Sequence, residues 1–343
     1  MKFSLVAAVL NIAAVQAVAI PAEAAESIDN AGPSGPVQIN VPKMMTPKYR
    51  PTAKRAIIRY PAFTLQAKGK AKSAMSMDPN GQSGTFRIGA GMCSKCTLLS
   101  AHYRLVSPEG NEVGPTDGVY IHHMTSHLSP KTSENPISGG IPSIGAGAYF
   151  IDRGEDSGQS DTVFTSADGR FESGYQITGT PSVSVSYDFV NYKDTPRQLH
   201  LELEYEWLDG IVGKDAGHTL KTVAGNPKLM GKSVSTPMRV SKDTTIMWAR
   251  GHLHQGGVSM TVKVNGAVKC VSNATYDTAG VITSMSLCPK AIDLKKGDSM
   301  TIESDYDTNK HKLREASDGH GGSAHGKLGG SDVMGMVAMS YTS

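Results

Sequence analysis

The sequence predicts an all-β protein built from tandem jelly-roll or β-sandwich domains. From about residue 56 onward, short segments alternate apolar and polar residues and are separated by glycine, asparagine, aspartate and proline. A repeat of two residues is typical of strands, because successive side chains of a strand point to opposite faces. The sequence has no amphipathic pattern long enough for a helix of three turns. Many short strands of this kind are typical of sandwiches and jelly rolls.

The clearest strand lies between residues 199 and 207. Apolar and polar residues alternate there, in the order Leu199, His200, Leu201, Glu202, Leu203, Glu204, Tyr205, Glu206 and Trp207. We expect the apolar face to be buried and the polar face, including His200, to be in water. The same alternation predicts strands over 182–191, 258–264 and 299–304. Asn265 and Gly266 follow the strand predicted at 258–264 and predict a tight type I′ hairpin.

The length of the chain favours two domains, because 343 residues are too many for one small core. Residues 1–20 have the pattern of a signal peptide, with Lys2 before an apolar run and small residues near its end. Residues 21–55 are rich in proline, glycine and polar groups, and predict a propeptide or flexible arm. We predict a first β-sandwich domain over 56–225 and a second over 226–343.

Charge and hydropathy exclude two classes of partner. The net charge is only +3, and the few clustered basic residues are interleaved with prolines, so nucleic acid is not expected. After the signal peptide, no segment approaches 18 uninterrupted apolar residues, so no membrane span is expected. Together with the signal peptide, these features predict a soluble protein that is secreted to the extracellular space.

The four cysteines are expected to form disulfides, because a secreted protein passes through an oxidising compartment. Cys93 and Cys96 form a C-x-x-C motif, for which we favour structural pairing and keep a redox role as an alternative. Cys270 and Cys288 are expected to pair, and closing such a loop stabilises a fold by about 3 kcal/mol. Asn273 begins an N-glycosylation sequon and predicts an exposed loop on a glycoprotein.

Three short motifs carry residues that suit copper. They are His122-His123-Met124, His252-Leu253-His254 and, near the C-terminus, Met334 with Met336. Imidazole nitrogen and thioether sulfur together are ligands that suit copper, above all Cu(I). Residues i and i+2 of a strand share a face, so the second histidine pair can converge on one ion. Adjacent histidines of the first motif meet only at a strand end, bulge or twist. Taken singly, the motifs have simpler interpretations as surface imidazoles and core methionines.

In this order, the motifs resemble those of the peptidylglycine α-hydroxylating and dopamine β-type copper monooxygenases. The chain is more similar still to their distant secreted relatives, the stress-up-regulated nodulin-like proteins of fungi and plants. The strand from Val258 to Val264, which ends in Asn265-Gly266, and the segment Asp332-Val333-Met334 are also similar to that superfamily. The resemblance covers roughly residues 70 to 343.

The resemblance implies a tandem pair of jelly-roll domains that face each other across a solvent-filled cleft, with one copper in each. His122 and His123 would hold an electron-transfer copper, and His252, His254 and Met334 would hold the copper that meets oxygen. The implied reaction uses O2 and a reductant, usually ascorbate, to hydroxylate a C–H bond. The substrate stays open, and peptides and small molecules are both compatible.

One departure from the family pattern concerns the first copper. The resemblance implies a third histidine on the strand that corresponds to 182–191, and this strand contains none. Asp188 is a candidate substitute, although a carboxylate is a hard ligand that disfavours Cu(I); His127 is another candidate. Without a third ligand the first site would be weak or empty. The alternative function is then a secreted copper-binding or stress protein without catalysis, and a further alternative is a metal-free structural or carbohydrate-binding sandwich.

Overall fold

The computed structural model describes residues 43–343 except 71–75, 77, 79, 89–90, 133, 140–146, 159, 167–169, 224–226 and 314–332. The predicted signal peptide and most of the predicted arm therefore lie outside the described residues. The described residues are mainly β-strand, with two 3-10 helices at Pro115–Asp117 and Glu155–Ser157. The prediction of an all-β fold is confirmed. In the part of the chain that the structure describes, no helix has the length and apolar character needed to cross a membrane.

The strands are short and follow one another closely. The first half contributes β1 (Lys43–Met45), β2 (Lys54–Arg59), β3 (Phe63–Leu65), β4 (Gly81–Ile88), β5 (Cys96–Val106), β6 (Glu112–Val113), β7 (Val119–Ser129), β8 (Ala148–Gly154), β9 (Thr162–Val163), β10 (Ser173–Ile177), β11 (Ser182–Asn191) and β12 (Arg197–Asp209). The second half contributes β13 (Lys214–Thr222), β14 (Met230–Val234), β15 (Met238–Arg239), β16 (Thr244–Leu253), β17 (Gly257–Val264), β18 (Ala267–Tyr276), β19 (Ile282–Met285), β20 (Ile292–Leu294), β21 (Ser299–Asp307) and β22 (Gly335–Thr342). The strands predicted at 182–191, 258–264 and 299–304 correspond to β11, β17 and β21.

The described strands form three sheets. The largest follows the order β1-β2-β12-β5-β10-β13-β22-β16-β20, with β3, β6 and β9 paired beside this path. A second sheet has the order β4-β11-β7-β8, and a third has the order β14-β21-β17-β18-β19 with β15 beside β21. The named strand pairs are antiparallel except for the short parallel pairing of β10 with β13. The predicted domain boundary falls at 224–226, outside the described residues, and the division into 56–225 and 226–343 stays a prediction.

Two large hydrophobic clusters fill the molecule. The first is formed by residues between 56 and 216, and the second by residue 137 with residues between 223 and 339. A smaller cluster joins strands of both halves, and it consists of Tyr149, Val163, Leu220, Trp248 and Ala338. This packing brings β8, from the first half, close to β16, from the second.

The strand predicted at 199–207 is β12, but the prediction that its polar face is in water is wrong. Glu202, Glu204 and Glu206 are each at most 4% exposed. Their partners are Arg59 and Arg104 for Glu202, Arg55 and Lys48 for Glu204, and the backbone N–H groups of Lys48, Tyr49 and Arg50 for Glu206. Neighbouring basic groups and the segment 48–50 cover the carboxylates, which the alternation alone does not reveal. His200 is half-buried, and its Nδ1 lies 2.8 Å from the carbonyl oxygen of Tyr60.

Several local predictions are confirmed. Asn265 and Gly266 connect β17 and β18 with φ values of 49° and 81°, as a type I′ turn requires. The predicted disulfides are formed, and they are Cys93–Cys96 and Cys270–Cys288. Asn273 of the sequon is exposed, but it lies within β18 and not in a loop.

Candidate metal centre

The first histidine pair lies on β7 at a β-bulge. In the register of β7 with β11, Ile121 pairs with Phe189 and His123 pairs with Asp188, so that His122 is the extra residue. A bulge bends the strand and changes the direction of a side chain. The two adjacent imidazoles consequently lie on a common site, with their ring centroids 4.2 Å apart. A bulge is one of the features, with a strand end and a twist, at which adjacent histidines of a strand are expected to meet.

The second histidine pair reaches the same place from β16. His252 lies near the end of that strand, and His254 follows in the turn before β17. Nε2 of His123 lies 3.2 Å from Nε2 of His252 and 2.8 Å from Nε2 of His254. Potential ligand atoms of His122, His123 and His254 lie within 4.8 Å of one another. We refer to His122, His123, His252 and His254 as the four-histidine cluster.

This arrangement differs from the one that the family resemblance implies. Two separate coppers, one in each domain and facing across a cleft, would place the two histidine pairs far apart. Here the two pairs are in contact, because β7 and β16 approach each other where β8 and the Glu155–Ser157 helix pack against β16. The structure therefore supports one histidine centre built from both motifs.

The nitrogen–nitrogen distances suit ligands of a common metal ion. Imidazole nitrogens lie about 2.0–2.1 Å from a bound metal, so two of them at right-angled or tetrahedral positions are about 2.8–3.4 Å apart. The two distances at His123 Nε2, 2.8 and 3.2 Å, lie within this range. A ring nitrogen carries one hydrogen or one in-plane lone pair, so hydrogen bonding accounts for only one of the two contacts. Ligation of one metal ion would account for both.

Two carboxylates orient rings of the cluster. Nδ1 of His122 lies 3.0 Å from Oδ2 of Asp188, and Nδ1 of His252 lies 2.6 Å from Oδ1 of Asp156. Histidines that bind metals usually donate one ring N–H to such an acceptor, which leaves the other nitrogen for the metal. Asp188, predicted as a possible ligand, is therefore placed behind His122 as a hydrogen-bond acceptor, and Asp156 does the same for His252.

Asp156 is held firmly by the end of β16. It is completely buried in the short helix after β8, and its Oδ2 accepts the backbone N–H of Leu253 at 2.8 Å. Burial would raise the pKa of Asp156, but the charge and hydrogen bond of His252 outweigh burial and lower it. Burial acts to lower the pKa of His252, and Asp156 reverses this and raises it. Arg250 donates from its Nη2 to Ser157 Oγ at 3.0 Å, which ties the helix to β16.

Two glycines provide the space that these contacts need. Gly154 pairs with His123 across β7 and β8, and a Cβ there would lie 2.6 Å from Cε1 of His252. A Cβ on Gly81 would lie 2.6 Å from Oδ1 of Asp188. Side chains at either position would displace a ring or its orienting carboxylate. Neither glycine belongs to a motif that sequence reasoning could single out.

The C-terminal methionines lie beside the second histidine pair. The hydroxyl of Tyr306 donates to the carbonyl oxygen of Met334 at 2.7 Å and accepts the N–H groups of Met334 and His254, each at 3.1 Å. In the register of β16 with β22, Met336 pairs with His252, so the two side chains share a face. The backbone of Met334 and the side chain of Met336 are thus both adjacent to the cluster, and Met334 stays the predicted thioether ligand.

Other histidines take different roles. His127, the alternative ligand, is buried and packs its ring against Tyr149 at 4.3 Å, and burial lowers its pKa. It does not appear in either group of closely spaced metal-ligating atoms found among the described residues. His218 is buried, with Nε2 2.7 Å from Asp152 Oδ1, and the sequence offered no signal for this contact.

A second group of metal-ligating atoms is formed by residues of β5 and β12 and by the residue that precedes β9. His102, Asp161 and Glu204 are buried, and their ligand atoms lie within 4.8 Å of one another. Nζ of Lys48 lies 2.9 Å from Glu204 and 3.2 Å from Asp161, and Arg55 binds Glu204 as well. Protein cations thus already neutralise the two carboxylates, and this group is a buried ion-pair network.

Comparison with known proteins gives two distant relatives. The probable copper-dependent oxygenase M1 of Phoma sp. (strain ATCC 20986 / MF5453) is 23% identical over 259 residues, 70% of this chain and 65% of that protein. The probable copper-dependent oxygenase clz3 of Cochliobolus lunatus is 22% identical over 228 residues, 62% of this chain and 71% of that protein. The matches thus span about two thirds of each relative. No family model matches the chain. These relatives support a likeness to copper-dependent oxygenases and no narrower assignment.

Proposed function

We propose that this protein is a secreted copper-dependent oxygenase that hydroxylates a C–H bond with O2 and a reductant such as ascorbate. The observation that carries the proposal is the convergence of His252 and His254 on Nε2 of His123, at 3.2 and 2.8 Å. The names of the two distant relatives support the metal and the reaction class. The narrower likeness to the peptidylglycine-type monooxygenases and nodulin-like proteins belongs to the proposal as well.

The residues of the cluster fit a copper ion. The imidazoles of His122, His123 and His254, whose ligand atoms lie within 4.8 Å of one another, would hold it, with His252 and the Met334 thioether proposed as further ligands. Soft sulfur beside nitrogen favours Cu(I). When bound, copper supplies the one-electron chemistry that activates O2. Asp188 and Asp156 keep two rings in a single orientation, and Gly154 leaves room for one of them. Residues that hydrogen-bond to metal ligands in this way matter for metal affinity nearly as much as the ligands themselves.

The surroundings of the cluster provide a place for a small substrate. His122, His252 and His254 are at most 6% exposed, whereas His123 is only half-buried. A cavity of about 260 Å³ lies beside the cluster, and its lining includes Tyr120, Ile121, Gly154 and Glu155. Because Gly154 lies under the His252 ring, a molecule in this cavity would be close to the copper ligands. We infer that a small organic molecule or a peptide end binds there.

Copper loading of the full chain tests the proposal. We expect one copper ion per chain after desalting, with nitrogen couplings in the Cu(II) EPR spectrum and ascorbate-dependent O2 consumption that a substrate increases. His252→Ala should lose copper and O2 consumption. His200→Ala is the matched control, because His200 is half-buried on β12 and bonds to Tyr60. A wild-type protein without copper, or unchanged copper content and activity in His252→Ala, would refute the proposal.

A secreted copper-binding or stress protein without catalysis is the second candidate. The joining of the two histidine pairs into one cluster favours it, because the two separated coppers of the related monooxygenases are not assembled. Such a protein would bind copper through the same residues and would show no substrate-stimulated O2 consumption. The O2 measurement therefore separates the two candidates, while the copper measurement is common to both.

A further inference from the structure

We propose that Tyr120 and Tyr192 form a one-electron path between the four-histidine cluster and the protein surface, with Asp78 accepting the phenolic proton of Tyr192. The inference rests on the proposed function, because it requires a redox-active metal at the cluster. It assigns a role to two tyrosines that neither ligate the metal nor belong to any motif. The path would remove oxidising equivalents when no substrate is bound.

The rings lie in a row. Tyr120 and His122 are two residues apart on β7, and their ring centroids are 6.4 Å apart in an edge-to-face arrangement. The Tyr192 ring stacks on Tyr120 with a centroid distance of 6.3 Å and an interplanar angle of 23°. Because Tyr120 pairs with Val190, Tyr192 is its diagonal neighbour across the two strands. The N–H of Tyr192 donates to the carbonyl oxygen of Gly118 at 2.8 Å, which fixes this position.

The row leads from the interior toward solvent. His122 is completely buried and Tyr120 is 4% exposed. Tyr192 is only half-buried, so its ring is the member of the row that a soluble reductant can approach. Aromatic rings in successive contact allow an electron to move in short steps without movement of the backbone.

Tyr192 has a proton acceptor in place. Its hydroxyl donates to Oδ2 of Asp78 at 2.5 Å, and Asp78 is 4% exposed. A phenol has a pKa near 10, so it is oxidised most readily when a base takes its proton at the same time. Asp78 also accepts the N–H of Asn80 through Oδ1 at 2.8 Å, which holds the carboxylate toward Tyr192.

A hydrogen-bonded loop connects the same two ends. The Ser76 hydroxyl accepts the N–H of Asp78 at 3.1 Å and donates to Oδ1 of Asp188 at 2.7 Å. Asp188 in turn accepts from His122 at 3.0 Å. The backbone of the proton acceptor of Tyr192 and the orienting carboxylate of His122 are therefore both hydrogen-bonded to the Ser76 hydroxyl.

Hydrogen peroxide is the oxidant of the proposed step, and it would be reduced at the copper-loaded cluster: its O–O bond breaks and, with two electrons and two protons from solvent, it leaves as two waters. The two electrons come one at a time from Tyr192 through Tyr120 and His122, in two turns of the step that follows. The O–H bond of Tyr192 breaks and the proton forms an O–H bond on Asp78, leaving a neutral phenoxyl radical and a carboxylic acid. A one-electron reductant of the enediol class, such as ascorbate, then returns an electron to Tyr192, and Asp78 returns the proton.

Freeze-quench EPR of the copper-loaded protein, mixed with hydrogen peroxide in the absence of substrate, tests this path. We expect a tyrosyl radical in the wild type, none in Tyr192→Phe, and at least a several-fold lower yield in Tyr120→Phe. Tyr187→Phe is the matched control, because Tyr187 is a half-buried tyrosine of β11 that packs on Phe189. Peptide mass spectrometry should find several-fold more oxidised histidine in Tyr192→Phe than in the control.

The possible outcomes separate this inference from the proposed function. Absence of a Cu(II) signal in the wild type before peroxide is added would contradict the copper site itself. A normal Cu(II) signal in every variant, with no radical in the wild type, would overturn the path alone. Persistence of the same radical in Tyr192→Phe would also overturn it.

Discussion

Among the described residues, two groups place metal-ligating atoms within 4.8 Å of one another, and they differ in what surrounds those atoms. The first is His122, His123 and His254 of the four-histidine cluster, and the second is His102, Asp161 and Glu204. In the four-histidine cluster, Nε2 of His123 lies 3.2 and 2.8 Å from two further imidazole nitrogens, and hydrogen bonding accounts for only one of these contacts. In the group of His102, Asp161 and Glu204, Lys48 lies 2.9 and 3.2 Å from the two carboxylates. The difference teaches that closely spaced ligand atoms identify a metal centre only when the protein has not already supplied the cation.

The charges of the second group show the same distinction. Burial would raise the pKa of Asp161, but the hydrogen bond and charge of His102, followed by the charge of Lys48, lower it to about 2. Burial also acts to raise the pKa of Glu204, and Lys48, His102 and Arg55 together lower it. Carboxylates that are stabilised in this way contribute to the stability of the fold and gain little from a metal ion.

The largest expected effect separates the two groups by copper content. His123→Ala removes the nitrogen common to both short contacts, so the full-length protein should retain no copper after loading and desalting. His102→Ala should retain the wild-type copper content, provided that circular dichroism shows it to be folded. Elemental analysis of both variants makes the comparison. Equal losses of copper in the two variants would mean that the distinction between the groups is wrong.

A change in the group of His102, Asp161 and Glu204 should lower the stability of the fold and leave the copper content unchanged. Glu204→Ala leaves Arg55 and Lys48 without their buried carboxylate, so we expect the free energy of unfolding to fall by about 3 kcal/mol. Denaturant titration measures this value. Asp209→Ala is the control, because its pair with Lys54 is exposed on both sides and should matter little. Copper content should be unchanged in both variants, and a loss of copper in Glu204→Ala would contradict the comparison.

The carboxylates of Asp156 and Asp188, which orient His252 and His122, allow a further test of the four-histidine cluster. Asp156→Asn keeps the shape of the side chain but weakens the acceptor of the His252 N–H, so copper affinity should fall by about 10–100-fold. Asp188→Asn should act in the same direction through His122. Competition with a chelator of known affinity measures both changes. An unchanged affinity in both variants would show that these carboxylates do not prepare the rings for a metal.

Lowering the pH should reduce the stability that the ion pairs of Asp161 contribute to the fold. Asp161 has a folded-state pKa of about 2 against an ordinary value of 3.8, so its contribution is fully present above about pH 4. That contribution, about 2 kcal/mol, is lost as the pH falls toward 2. Free energies of unfolding measured between pH 5 and 2 should therefore decline less steeply in Asp161→Asn than in the wild type. If the free energies of unfolding of the two proteins declined in parallel, the stabilising role of ionised Asp161 would be contradicted.

The sequence identifies the four histidines as candidate ligands but does not reveal how they are arranged in space. The i, i+2 spacing of His252 and His254 is a local pattern, and so is the alternation that predicts β12. The approach of His123 to His252 depends on how strands 129 residues apart pack, and no periodicity contains that information. No sequence pattern indicates Asp156 either, since it lies 96 residues from the imidazole that it orients.

The burial of the glutamates on β12 shows a second limit. Alternation in one strand identifies two faces but does not reveal what covers each of them. The segment that carries Lys48 lies more than 150 residues earlier in the chain than Glu206 and provides the cover. Its proline-rich composition predicted an arm, and the paired backbone amides of residues 48–50 have no signature in the sequence.

The bulge on β7 also changes which residue numbers face the hydrophobic interior. Before the histidine pair the core-facing residues are odd-numbered, Val119 and Ile121, and after it they are even-numbered, Met124 and Leu128. The motif thus marks a change of parity along a single strand. Deleting one residue there would restore strict alternation and separate the two imidazoles. In other chains, a hydrophobic pattern that shifts from odd to even across adjacent histidines would indicate such a centre from the amino-acid sequence alone.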